Sequence, residues 1–132
     1  MEFLLDTNIL LWWQLSPKKL SRKIYAHIED PWNIMYYSPV SLWEIATKYG
    51  TGKLPLNERT PEQFLDKLEA DNMFDCLELL PGTLVTSYQL PMRHRDPFDR
   101  MLVWEALQHD LILVTADETL RAYEQDGLRL MC

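Results

Sequence analysis

Phe3-Leu4-Leu5-Asp6-Thr7-Asn8 is a short apolar run that ends abruptly on an acid. Phe3, Leu4 and Leu5 show no polar alternation, which suits a central strand covered on both faces. A helix-like segment, Ile9-Leu10-Leu11-Trp12-Trp13-Gln14-Leu15, follows at once. Asp6 therefore stands at the carboxyl end of a buried strand, where open α/β sheets place their ligands. The same aspartate can cap the following helix by accepting a backbone N–H bond, and the local sequence does not choose between the two duties. Helix 9–15 is apolar almost all round, so it is either a deeply buried core helix or one whose outer face meets a partner.

The pattern repeats near the other end of the chain. Leu111-Ile112-Leu113-Val114 is continuously apolar and ends at Thr115-Ala116-Asp117-Glu118. Thr115 and Glu118 have capping-box spacing, which leaves Asp117 without a duty in that box. Between these two runs, Asn33 to Ser38 reads as a second strand, ended by Pro39. A third short strand lies within Phe74 to Leu80, and Leu128-Arg129-Leu130-Met131 alternates like an edge strand. Helices are expected from Ser16-Pro17 with Ser16 as cap, and from Ser38 or Ser41 to about Gly50. Others are expected from Thr60-Pro61, over about Thr83 to Leu90, and from Asp96-Pro97 to a break at His109-Asp110. Strand and helix signals alternate without a repeat or linker, so residues 1–132 form one α/β domain with a mostly parallel sheet.

The composition narrows the function. Hydrophobic residues at 47% and charged residues at 25% are globular values. The net charge of −7 argues against gripping nucleic acid by charge alone. It leaves room for an enzyme that meets phosphate through divalent cations, which reverse the local sign. Lys18, Lys19, Arg22 and Lys23 form the densest basic cluster, either a phosphate contact or a solvated face. Cys76 and Cys132 are the only cysteines, with no CxxC pair or clustered histidine, so neither a disulfide framework nor a thiolate zinc site is expected. The apolar stretch 9–13 is too short to span a bilayer, and a cytoplasmic protein is the default expectation.

Arg93-His94-Arg95-Asp96-Pro97-Phe98-Asp99-Arg100 supplies a third acidic position. Asp96 is placed as N-cap, Pro97 as first helical residue, and Asp99 three residues after the cap. In a parallel sheet Asp6, Asp99 and Asp117 converge on the carboxyl rim. Clustered carboxylates repel unless they are protonated or bridged by cations. Oxygen donors with no His or Cys among them favour Mg²⁺ or Mn²⁺, and that combination suits phosphodiester hydrolysis. A helical wheel puts Leu42, Ile45, Ala46 and Tyr49 on one face and turns Glu44 away from it, toward solvent and Lys48.

Leu4-Leu5-Asp6-Thr7-Asn8, Ser41-Leu42-Trp43-Glu44-Ile45-Ala46, Asp96-Pro97-Phe98-Asp99-Arg100 and Leu113-Val114-Thr115-Ala116-Asp117 together resemble the four acidic motifs of PIN-domain ribonucleases. The likeness is greatest to the small VapC-type toxins of bacterial toxin–antitoxin pairs. It implies a PIN-like three-layer fold, a five-stranded parallel sheet flanked by helices, and an acidic quartet of Asp6, Glu44, Asp99 and Asp117. Glu44 enters only through the resemblance. On the same ground Asp6, Asp99 and Asp117 would hold Mg²⁺ or Mn²⁺, with Asp6 most central and Glu44 completing the site. Asn8 and Thr115 would orient carboxylates or waters, and Arg100 would contact substrate phosphate or remain an exposed helix arginine. Asp96 is left as a cap. The implied activity is metal-dependent endoribonuclease action on RNA, leaving a 5′-phosphate and a 3′-hydroxyl. The implied partners are a cognate antitoxin and a second copy in a homodimer, with Trp12, Trp13 and Trp43 as interface residues.

Competing readings fit less well. A receiver-like signalling domain needs an aspartate after the third strand, where Leu79-Leu80-Pro81 stands. An aspartyl phosphatase wants a second aspartate where Asn8 is, and 4 glycines leave no glycine-rich phosphate loop. A non-catalytic or DNA-directed protein of the same fold stays open.

Overall fold

In the computed structural model, which describes residues 1–132, the Phe3–Leu5 run is the middle strand of a five-stranded sheet. The strands are β1 (Glu2–Leu5), β2 (Ile34–Tyr37), β3 (Asp75–Cys76), β4 (Ile112–Val114) and β5 (Arg129–Met131). They lie in the order β3-β2-β1-β4-β5, and every pairing is parallel. The sheet is thus wholly parallel, and the alternating strand Leu128–Met131 is indeed at an edge. From β1 the chain steps outward to β2 and β3, then returns to the other flank for β4 and β5. The carboxyl end of β1 is therefore the switch point of the sheet, where adjacent crossovers diverge and leave a crevice. Asp6 is the next residue, and its N–H donates to the Val114 carbonyl at 3.0 Å.

The helices are α1 (Thr7–Leu15), α2 (Arg22–Glu29), α3 (Pro39–Gly50), α4 (Pro61–Asp71), α5 (Pro81–Thr86) and α6 (Pro97–His109). Side chains on β1 alternate between two apolar cores. Phe3 and Leu5 pack with Ile9, Leu10, Ile24, Met35, Ile45 and Phe64, whereas Leu4 packs with Val40, Leu102, Val103, Leu113 and Tyr123. Helices on both faces account for the unbroken apolar runs: Phe3–Leu5 of β1 and all of β4 are buried on both faces. The result is three layers.

Several helix starts differ from expectation. Ser16-Pro17 opens only a 3-10 turn (Pro17–Lys19), and Ser21 caps α2 by accepting from the Ile24 N–H at 3.1 Å. Leu20 leaves helical geometry between them and is buried there. The helix expected over 83–90 starts earlier, at Pro81, and tightens into a 3-10 turn at Ser87–Gln89. The segment Glu118–Asp126 is 3-10 throughout, and its cap is Asp117. Thr115 is not the cap. It has turned inward, and its Oγ1 accepts from the Asp117 N–H at 3.0 Å, so the capping-box reading and the idle Asp117 are both corrected. Cys76 and Cys132 are free thiols. No helix is long and apolar enough to cross a membrane.

Candidate active site

Asp6 performs the capping duty that its position allows, with its carboxyl buried at the carboxyl rim of the sheet. Its Oδ1 accepts from the Ile9 N–H at 2.8 Å, capping α1. The residue is only 5% exposed. Burial pushes its pKa up to about 7, with the charges of Asp99 and Glu44 adding to the rise. The Thr115 hydroxyl and the Ile9 amide act in the opposite direction by favouring the charged form. Thr115 is wholly buried and touches both Asp6 and the backbone of Asp117.

Glu44 lies in the interior, at 4% exposure, and the wheel-based placement in solvent is overturned. The buried face of α3 is Val40, Ser41, Glu44 and Ile45, while Ala46 and Tyr49 of the apolar stripe are exposed. The reason is a polar contact between helices. Thr7 Oγ1 donates to Ser41 Oγ at 2.9 Å inside the α1–α3 interface, and Glu44, three residues on, shares that face. The expected ion pair with Lys48 is present through Glu44 Oε2, but its acid is buried. Glu44 Oε1 is buried with no partner.

Asp96 is the cap of α6, accepting from the N–H groups of Phe98 at 2.8 Å and Asp99 at 3.4 Å. Asp99 is thereby released from capping and turns toward the site. Its pKa is raised, chiefly by burial and then by the neighbouring Asp96 charge. Asp117 is held charged instead. The Thr119 hydroxyl donates to its Oδ1 at 2.6 Å and the Thr119 N–H at 3.0 Å, and its pKa falls.

A histidine shares this edge, contrary to the expectation of an all-oxygen site. His94 Nε2 lies 3.0 Å from Asp99 Oδ2 and 3.8 Å from Asp117 Oδ2. The loop that presents it is anchored at both ends. Tyr123 Oη donates to the Pro91 carbonyl at 2.9 Å and accepts from the Arg93 N–H at 3.1 Å. Arg93 forms a two-bond ion pair with Asp126, at 2.7 and 3.0 Å. Arg100 Nη1 donates to the carbonyls of His94 at 3.1 Å and Arg95 at 2.9 Å. Arg100 is thus committed in part to the loop. The only sequence signal for His94 was its place in the stretch leading to Asp96.

The tightest group of donors is His94, Asp99 and Asp117, whose ligand atoms all lie within 4.8 Å of one another. Asp6 and Glu44 stand outside that group and meet it through Asp99, with which both interact electrostatically. Asn8 is exposed in the first turn of α1 and hydrogen-bonds to none of the four acids. Lys18, Lys19, Arg22 and Lys23 are all exposed. Trp12 and Trp13 are half-buried, whereas Trp43 is 66% exposed and packs edge-on against Phe98 at 5.1 Å. It lines an apolar groove of about 540 Å³ with Val40, Leu79, Leu84, Phe98 and Met101. The donor set suits a divalent cation, and the orphaned Glu44 oxygen and the raised Asp6 carboxyl are the unmet needs such a charge would satisfy.

A wholly parallel five-stranded sheet with acids gathered at the switch point defines a class, that of PIN domains. A family model described as PIN domain matches residues 3–125. The chain belongs to the PIN-domain family. Among solved structures it is similar to DNA-bound VapBC from Salmonella typhimurium, at 23% identity and a TM-score of 0.65, covering 99% of this chain and 97% of that one. VapBC-1 from nontypeable Haemophilus influenzae is similar at 16% identity and a TM-score of 0.68, with coverage of 99% and 97%. VapBC2 from Rickettsia felis, bound to a promoter DNA fragment, is similar at 17% identity and a TM-score of 0.64, with coverage of 99% and 98%. No curated protein matches the chain in sequence.

Proposed function

We propose that this chain is a metal-dependent endoribonuclease, the VapC-type toxin of a toxin–antitoxin pair. The observation that carries this reading is that carboxylates from four separate chain segments act on one another at one sheet edge, one of them with a buried, unpartnered oxygen. Repulsion among such groups is unfavourable unless cations bridge them.

Asp6, Asp99 and Asp117 would hold Mg²⁺ or Mn²⁺, with Glu44 completing the site. Held by these residues, such an ion would supply charge neutralisation for a phosphodiester and a water made nucleophilic at neutral pH. The protein's own side chains do the rest. Thr115 holds the Asp6 carboxylate in place, and burial of Asp6 and Glu44 keeps bulk water from the rear of the site. Asp99 and Asp117 are part-exposed and form the face that RNA reaches. The Arg100 guanidinium is held beside that face by its bonds to the loop, with further N–H groups to offer a phosphate. Asn8, exposed at the start of α1, is assigned to water or substrate. In-line attack of water on phosphorus leaves a 5′-phosphate and a 3′-hydroxyl.

The VapBC assemblies among the similar structures support a protein antitoxin as partner. The exposed Trp43 groove, with the half-buried Trp12 and Trp13, offers anchors for it or for a second copy in a homodimer. A cytoplasmic location goes with an RNA substrate. The test uses purified protein and structured RNA. Cleavage should stop with EDTA, resume with Mg²⁺ or Mn²⁺, and be lost in Asp6→Asn; cleavage that survives chelation or that substitution overturns the mechanism. Cleavage of DNA alone would favour the DNA-directed alternative. Expression of the chain alone should arrest growth, and co-expression of the antitoxin should relieve it.

A further inference from the structure

His94 is the one donor at the acidic edge that the four motifs leave out. Its Nε2 faces two carboxylate oxygens, at 3.0 Å on Asp99 and 3.8 Å on Asp117. Its Nδ1 lies 3.4 Å from Thr119 Oγ1. The Thr119 hydroxyl already donates to Asp117 Oδ1 at 2.6 Å, so toward the ring it can only accept, and Nδ1 is the donor. Metal-binding histidines are commonly oriented in this way, the remote N–H bonded to a neighbouring acceptor and the other nitrogen turned inward. Here the acceptor is itself bonded to one of the ligand carboxylates. With Nδ1 as the donor, an Nε2 lone pair facing two carboxylate oxygens at this range is repelled unless a proton or a metal ion lies between them.

Glu44 supplies a second, independent observation. It is 4% exposed, its Oε1 has no partner, and its charge acts on both Asp6 and Asp99. Lys48 meets only the other oxygen. A buried carboxylate oxygen is thus left unmet beside the His94–Asp99–Asp117 group. The imidazole is also held in advance, because Tyr123 and Arg100 fix the backbone on either side of it.

Resting on the reading of the chain as a metal-dependent nuclease, we propose that His94 is a direct metal ligand through Nε2, with Asp99 and Asp117. The nitrogen makes this a site for first-row transition ions, with Mn²⁺ preferred to Mg²⁺. Mg²⁺ takes oxygen ligands and sheds its waters reluctantly, whereas imidazole suits transition ions.

The experiment titrates Mn²⁺ alone into the metal-stripped full chain and reads the bound ion by pulsed electron paramagnetic resonance. A nitrogen coupling from directly bound imidazole is expected in the wild type and its loss in His94→Gln. By calorimetry, that substitution should weaken Mn²⁺ by at least about 10-fold and Mg²⁺ by no more than about 3-fold. Bound Mn²⁺ without nitrogen coupling in the wild type overturns the proposal, and no misfolded variant can produce that result. It leaves the nuclease reading intact if RNA cleavage remains EDTA-sensitive. Failure of the wild type to bind either ion sinks that reading and this proposal together.

Discussion

Ser38 Oγ donates to Glu105 Oε1 at 2.6 Å, and both residues are wholly buried. Ser38 is the cap of α3, accepting from the Val40 N–H at 3.0 Å, and Glu105 lies in the middle of α6. One hydrogen bond therefore ties the helix that carries Glu44 to the helix that carries Asp99. Burial pushes the Glu105 pKa up to about 7, against the opposing pull of Ser38.

A pH dependence of stability follows. The folded pKa of Glu105, about 7, is above its ordinary 4.5, so between these values the native state binds more protons than the unfolded chain. Stability must then fall as pH rises from about 4.5 to about 7, by roughly 3 kcal/mol for this group. Asp6, raised in the same direction, adds a slope of the same sign in the metal-free protein. Glu105→Gln keeps the acceptor for Ser38 and should roughly halve that slope. Urea denaturation at pH 5, 6, 7 and 8 measures it, and an unchanged slope would show that Glu105 ionises without penalty.

Asp6→Asn separates the helix-capping duty of Asp6 from its proposed metal duty. Asparagine caps a helix about as well as aspartate and carries no charge to desolvate, so the chelator-treated variant should melt at or above the wild-type temperature. Cleavage of RNA should nonetheless fall at least about 100-fold, the scale on which lost electrostatic stabilisation of a transition state is felt. A variant that melts much lower would mean that the fold itself needs the carboxylate.

Metal should stabilise the wild type. A cation at 100 times its dissociation constant adds about 2.7 kcal/mol to the unfolding free energy, and EDTA should remove the gain. The same titration on Asp6→Asn should give a clearly smaller shift in melting temperature. Equal shifts would place the bound ion away from Asp6.

Asp96 and Asp99 are distinguished by their bonds. Asp96→Ala should cost about 1 kcal/mol, the usual loss for a helix cap, and Asp96→Asn much less. Asp96→Asn should cleave RNA within a few-fold of the wild type, whereas Asp99→Asn should be nearly inactive. The reverse ranking would exchange their roles.

Tyr123→Phe tests the anchor of the His94 loop. The phenol oxygen serves both the Pro91 carbonyl and the Arg93 amide. Leaving part-buried polar groups unpaired costs about 1–3 kcal/mol. The Arg93 amide should exchange with solvent markedly faster while the amides of β1 and β4 stay protected. Unchanged exchange at Arg93 would mean that the loop is held without the tyrosine.

Much of this molecule is local in origin. Phe3–Leu5 and Leu111–Val114 are apolar without alternation because both faces of a central parallel strand are covered, and that pattern needs no partner to be read. The aspartates after those strands, and Asp96 before Pro97, follow from the same short-range rules of strand end and helix cap. Glu44, His94 and the capping duty of Asp117 did not yield to such rules. Glu44 is buried because Thr7 meets Ser41 across 34 residues, which turns α3 away from its apolar stripe. His94 reaches the acids because Tyr123, 30 residues beyond Arg93, holds its loop. Asp117 caps its own turn because Thr115 faces Asp6, a residue from the other end of the chain. Periodicity and capping describe a chain's neighbours in sequence. The site is made of hydrogen bonds and charges between segments that only packing brings together, and those the tertiary structure alone decides.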